Sequence, residues 1–235
     1  MKAFLISSIT VCLIFFNISC GLDTVYVIDS PSDRVHDTSA DNIDKFDAYF
    51  EFVTNEKPYE GINYLGTDVY YRIYGSSTVM ASEIAAIDNA SINDETGSKA
   101  ATMMIDTYKY VSLEAIGYYG DDVLIPATGS NRHVYIRLED SSPYEAAIKI
   151  DNNNIYGSET RVIPGRNTPE KTAFTFYNTD PNTIPKDGDP DVKYSGANNT
   201  DWYVSLFAVG VAMDATYTKL YSNVKYLGSV KITVQ

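Results

Sequence analysis

The chain holds only two imidazoles, His36 and His133, so a hydrolase built from a nucleophile, a base and an orienting group has few ways to be assembled. His36 lies in a stretch of Asp, Ser and Thr, and His133 falls on the polar side of an alternating segment. No Gly-x-Ser-x-Gly elbow surrounds a serine. Paired carboxylates are the other route, to glycoside hydrolysis above all, and 31 Asp+Glu supply many candidates without fixing any separation. Asp187-Gly188-Asp189-Pro190-Asp191 sets three carboxylates at alternate positions, where their oxygens could meet Ca²⁺. It is not an EF-hand: Val192 stands where Gly is needed, and Asn198 where a bidentate Glu would close the loop. Asp187, Asp189 and Asp191 remain a candidate Ca²⁺ loop beside the plainer reading of a solvated acidic turn. No Cys or His pair has zinc-ligand spacing, and no Gly-rich loop opens a helix after a strand to cradle phosphate. On sequence alone no catalytic residue, resident metal or cofactor is assigned.

The elements that would position such groups follow from composition. At 235 residues with 44% hydrophobic content, the chain can bury a core without disulfides or metal. Eighteen Lys+Arg against 31 Asp+Glu leave a formal charge of −13, which repels phosphate backbones and argues against nucleic acid as a partner. Twenty Tyr beside one Trp favour pleated, half-buried strand surfaces.

The N-terminus reads as an export signal. Lys2 precedes the uncharged run Ala3 to Ile18, shorter than the ~20 residues a spanning helix needs, and no basic stop-transfer cluster follows. Asn17-Ile18-Ser19-Cys20 resembles the lipobox of bacterial lipoproteins, with Asn17 in place of the usual Leu. That resemblance implies acylation of Cys20 as the mature N-terminus. Cys12 lies inside the signal, so a chain starting at Cys20 has no second thiol to pair with. The expected organisation is a lipoprotein signal peptide over 1–19, an acylated Cys with tether and first strand over 20–45, and one elaborated β domain over 46–235.

Within that domain the two-residue period dominates. Phe46, Ala48, Phe50 and Phe52 oppose Asp47, Tyr49 and Glu51. Val69, Tyr71 and Ile73 oppose Asp68, Tyr70 and Arg72. Val134, Ile136 and Leu138 oppose His133, Tyr135, Arg137 and Glu139. Val25 to Ile28 reads as a first strand, and Ala146 to Val162 as a hairpin turning at Asn152-Asn153-Asn154. Ala173–Tyr177, Trp202–Val211 and Val224–Val234 complete the strands. Met80, Ile84 and Ile87 recur at helical spacing between Thr78 and Asn89, and a second helical turn is read near Ala100–Met104. Phe176 to Thr200, rich in Pro, Gly, Asn and Asp, reads as a surface loop.

Tyr70-Tyr71-Arg72-Ile73 resembles the third strand of a fibronectin type III domain, and Thr200 to Val209 resembles its sixth. Ser222-Asn223-Val224 would begin the last. Trp202 stands where that family begins its sixth strand with Tyr. The resemblance implies a mainly β fold, an antiparallel immunoglobulin/fibronectin type III-like sandwich with a short helical insertion. The loose lipobox and Tyr-rich strands also resemble treponemal lipoproteins of spirochaetes.

If those strands are neighbours, Tyr70, Tyr74, Tyr203 and Phe207 form an aromatic stripe. It is either a contact surface or the seat of the helix carrying Met80, Ile84 and Ile87. The function expected is non-enzymatic: an envelope lipoprotein that binds or scaffolds, attached to the inner or outer membrane through its lipid, with a protein or glycan partner. A glycan-directed hydrolase using paired carboxylates and a Ca²⁺-dependent adhesion module are the alternatives.

Overall fold

The computed structural model describes residues 26–32, 47–92, 97–118, 120, 122–140, 145–151, 159–166, 174, 176, 182–194 and 200–234. Cys20, His36 and the asparagine turn at 152–154 lie outside them. The described chain is mainly β with two short helices. Its strands are β1 (Phe50–Val53), β2 (Asn63–Tyr74), β3 (Val111–Ser112), β4 (Ile125–Pro126), β5 (His133–Arg137), β6 (Ala147–Asp151), β7 (Glu159–Arg161), β8 (Val192–Lys193), β9 (Asp201–Met213) and β10 (Lys219–Thr233). Helices α1 (Ser77–Ile92) and α2 (Ser98–Thr102) follow β2, and a π-helical turn over Met103–Thr107 continues α2.

Two sheets result. One has the order β1-β5-β6-β7, all antiparallel, and the other β10-β9-β2-β3, with β4 and β8 also pairing with β2. Residues of both, among them Phe50, Phe52, Val134, Ile136 and Ile148 from one sheet and Val69, Ile73, Val204 and Leu206 from the other, share a single apolar core. The packing is that of a β-sandwich. On the opposite face of the larger sheet, Met80, Ile84 and Ile87 of α1 and Ala101 of α2 cover a second cluster with Tyr70, Tyr74, Phe207 and Val209. With helices on one side and a sheet on the other, β9 is buried at every position from Val204 to Ala212.

The free edge of β2 is closed piecemeal. β4 pairs at Gly66 and Thr67, β3 at Tyr70 and Tyr71, and β8 joins parallel at Ile73 and Tyr74. Short pieces of this kind leave no long edge open to another chain. Gly66 is required there: its φ is 144°, and a Cβ would meet the Ile125 carbonyl oxygen at 2.1 Å.

Several expectations are corrected. Tyr26 to Ile28 forms no strand; Ile28 is buried across β9, its Cγ2 3.3 Å from where a Gly210 Cβ would stand, and only Ser32 bridges to Val53. The segment crosses a sheet face instead of extending an edge. The stretch read as a surface loop from Phe176 to Thr200 contributes β8 and the buried Asp191. Phe174 and Phe176 are buried but carry no strand. The last strand begins at Lys219, not Ser222, because the pairing with β9 shifts register between Tyr221 and Val224 and resumes. Glu51 and Arg137, read as solvent-facing, are both buried.

Candidate functional site

The aromatic stripe is covered. Tyr70, Tyr74 and Phe207 are buried, and Tyr203 is half-buried at the end of the row. The reason is local: α1 starts three residues after β2 and must lay its apolar side on the nearest sheet face. Their contact-surface role is therefore taken by packing at three of the four positions. Beneath the helices runs a chain of hydroxyls. The Tyr74 phenol reaches Glu83 Oε2 at 2.8 Å and the Tyr110 hydroxyl at 3.1 Å, and Tyr110 lies 2.8 Å from Ser205 Oγ. Each phenol has one proton, so the consistent arrangement has Tyr74 donating to the carboxylate and Tyr110 donating to Tyr74. Burial first, and then the neighbouring hydroxyls and Glu83, push the Tyr74 phenol far above its ordinary range.

The acidic loop finds a different cation from the one considered. Arg166 Nε and Nη2 donate to Asp191 Oδ2 and Oδ1, both at 2.7 Å, and Nη2 also reaches Asp189 Oδ2 at 2.6 Å. The Arg166 side chain is 2% exposed. Burial opposes its charge, but the bonds and charges of Asp191 and Asp189 outweigh it and hold the guanidinium above its ordinary value. Asp187 is exposed and apart from the pair. Among the described residues no cluster of His, Cys, Asp and Glu is arranged to hold a metal. A guanidinium therefore compensates two of the three carboxylates of the candidate Ca²⁺ loop.

This ion pair forms the floor of a cleft of about 280 Å³. Tyr71, on the sandwich side of β2, donates its hydroxyl to Asp191 Oδ2 at 3.1 Å and meets Phe174 edge to face at 4.9 Å. Leu113, Ile163 and Phe174 give apolar walls, while Ser112, Glu114, Pro164 and Pro190 stand at the rim. Backbone bonds lock the frame: Leu113 N–H to Val69 O at 2.7 Å, Ile73 N–H to Asp191 O at 2.9 Å, and Phe174 N–H to Leu138 O at 2.6 Å. Burial, and then the Asp191 charge and hydrogen bond, push the Tyr71 phenol well above its usual value. Both Asp191 oxygens already carry donors, which suits the carboxylate to positioning and not to proton transfer. Apolar walls around a few convergent polar groups are what a small-ligand site requires.

A second, shallower cleft of about 340 Å³ lies at the other end of β2, between Tyr59, Tyr64 and Ala127. Its carboxylate, Glu56, is saturated. Oε1 accepts from Arg132 Nη2 at 2.7 Å and Nε at 3.1 Å, and Oε2 accepts from the Thr128 and Gly129 amides at 2.5 and 2.9 Å. Burial raises the Glu56 carboxyl, but Thr128, Arg132 and Gly129 together bring it below the usual value. That group ties the 127–132 loop to the end of β1 and has no oxygen to spare for chemistry. Burial pushes the Tyr64 phenol up to about 12.

Tyr71, Arg166, Phe174 and Glu114 were not singled out by sequence. The one signal was the Asp189/Asp191 alternation, which called for a cation without saying that it came from a residue 25 positions upstream of Asp191. Comparison with known protein families, curated proteins and solved structures found no match.

Proposed function

We propose that the chain is a bacterial cell-envelope lipoprotein, anchored through Cys20, that acts as a non-enzymatic binding or structural component and uses the Tyr71–Arg166–Asp191 cleft to hold a sugar ring of an envelope glycan. The cleft carries this reading. Tyr71 and Pro164 offer apolar surface to a ring face, while Ser112 and Glu114 at the rim suit hydroxyls. The Glu114 carboxylate at the rim disfavours an anionic ligand at this site. The rigid floor, with the buried pair Arg166–Asp191 tied to Tyr71, means that little is reorganised on binding.

The sandwich is read as fibronectin type III-like. The neighbours β10-β9-β2 are the strands resembling that family's last, sixth and third, in an antiparallel order consistent with it. Among the described residues no helix is long and apolar enough to cross a membrane. The attachment proposed therefore rests on the lipid: two or more acyl chains anchor stably, each buried CH₂ contributing about 0.8 kcal/mol.

Two measurements test this. Titration with neutral N-acetylglucosamine oligosaccharides should give saturable binding that Ser112→Trp abolishes by filling the cleft mouth, with Tm unchanged. Binding that survives Ser112→Trp, or no binding to the unaltered protein, overturns the cleft reading. Separately, Cys20→Ala should move the protein from the detergent to the aqueous phase on phase partitioning; an unaltered distribution removes the anchor.

A further inference from the structure

The alternation of β2 places Arg72 on the helix side of the larger sheet, between Tyr70 and Tyr74 on its own strand and opposite Ser205 of β9. It is 7% exposed, and neither its Nε nor its Nη1 has a hydrogen-bond partner among the described residues. The contrast with other buried arginines is sharp. Arg132 is held by Glu56, and Arg166 by Asp189 and Asp191. Around Arg72 the acceptors are already engaged: the Ser205 hydroxyl with Tyr110, the Tyr74 hydroxyl with Glu83, and Glu83 also with Lys193 Nζ at 3.6 Å.

An arginine in this position cannot escape by losing its proton, as a lysine would, so the charge is permanent. A buried, uncompensated cation is strongly unfavourable, and a methionine of similar length would pack here without that cost. In the next row of the sheet Tyr74 is fully buried, and the row reaches solvent only at its flanks. There Tyr74 pairs with Lys193 on one side and Tyr203 on the other, and Tyr203 pairs with Lys231. Tyr203 is half-buried, and Lys193 and Lys231 are exposed. Lys231 lies 3.5 Å from Asp201 Oδ2, so each lysine already has one carboxylate, whereas among the described residues no carboxylate pairs with Arg72.

We propose that Arg72 is the receptor of an oxyanion-binding site on this face, with Lys193 and Lys231 at its entrance, taking a small phosphate-like anion. The site is separate from the cleft, because Tyr71 and Arg72 point to opposite faces of β2. Its charge preference is opposite as well, so the failure of one does not touch the other.

The test is thermal unfolding of the full chain at constant ionic strength, with inorganic phosphate replacing chloride. Ligand that binds only the folded state raises Tm as its concentration passes Kd. The expected result is a Tm that climbs through the millimolar range of phosphate and an Arg72→Met variant that does not respond. In chloride alone Arg72→Met should melt at or above the temperature of the unaltered protein, because the uncompensated charge is gone. Lys231→Glu, an exposed change that leaves the core intact, should weaken the phosphate response by about 3- to 10-fold, and it serves as the deciding variant should Arg72→Met fail to fold. Acetate and sulfate arms distinguish a carboxylate from a doubly charged tetrahedral anion as the preferred group. An absent phosphate response, an equal response in Arg72→Met, or an equal response in Lys231→Glu overturns the site.

Discussion

The two faces of β2 are buried by different means. Toward the second sheet, Val69 and Ile73 share a core with Phe52 and Ile136, and the layer is dominated by side chains that need only volume around them. Toward the helices, Tyr70, Arg72 and Tyr74 share the layer with Tyr110, Ser205 and Glu83, whose polar atoms sit among apolar side chains such as Met80, Ile84, Ile87 and Phe207. An aliphatic layer is held by area removed from water and tolerates no cavity. A phenolic layer is held by its hydroxyls finding partners, and one orphan there costs about as much as a lost hydrogen bond. The lesson is that one strand can carry two cores with different failure modes, and that only the second has room for an anomaly such as Arg72.

Truncation compares the apolar parts of the two faces. Phe52→Ala should destabilise by about 3–5 kcal/mol in urea unfolding, and Ile87→Ala on α1 by about 2–5 kcal/mol, toward the lower end because a helix can settle onto the space left. An Ile87→Ala effect equal to or above that of Phe52→Ala would break the distinction. Removal of a partner tests the second face. Tyr74→Phe keeps the ring but leaves Glu83 and Tyr110 short of a bond, and should cost about 1–3 kcal/mol. The same denaturation series should show no change in m-value, since packing is retained.

Titration sharpens the contrast further. Tyr74 and Tyr110 have folded-state values raised mainly by burial, whereas an unfolded Tyr ionises near 10. The folded form therefore holds more protons at high pH, so their contribution is complete below pH 10 and falls away as pH rises above it. Tm measured from pH 9 to 11 should drop, and the drop should be shallower in the Tyr74→Phe/Tyr110→Phe double variant.

The smallest effect is expected in acid, where two carboxylates pull in opposite directions. Glu56 is lowered in the fold, so its stabilisation is present above about 4.5 and lost as pH falls through its folded value. Asp68 is raised, by burial first, with the Leu124 amide only partly offsetting it. The folded state then binds the extra proton, and stability falls as pH rises from 3.8. Glu56→Gln should flatten the acid limb of a Tm-versus-pH curve, whereas Asp68→Asn should steepen it and raise Tm slightly at pH 7.

Much of the architecture was legible. The alternation of Val134 and Ile136 with His133 and Tyr135 named the inward face of β5, and Met80, Ile84 and Ile87 named the buried side of α1. Both signals are local, set by the pleat of a strand and the turn of a helix. The site was less legible. Arg137 alternates outward, yet it is 1% exposed with its guanidinium donating to the Tyr135 hydroxyl and lying over the Tyr49 ring. A two-residue period puts Tyr135 and Arg137 on one face, but it does not report the Tyr49 ring that comes from elsewhere in the chain. The Asp187–Asp191 loop showed surplus negative charge but not its counterpart.

What the sequence by itself determined is which side chains must leave water and in what rhythm, because hydrophobicity and backbone periodicity act within a few residues. The tertiary structure alone decided which cation meets which carboxylate: Arg166 with Asp191, Arg132 with Glu56, and, among the described residues, no carboxylate with Arg72. Those pairings join positions tens of residues apart, and they follow from strand register and helix placement, which only the assembled chain defines.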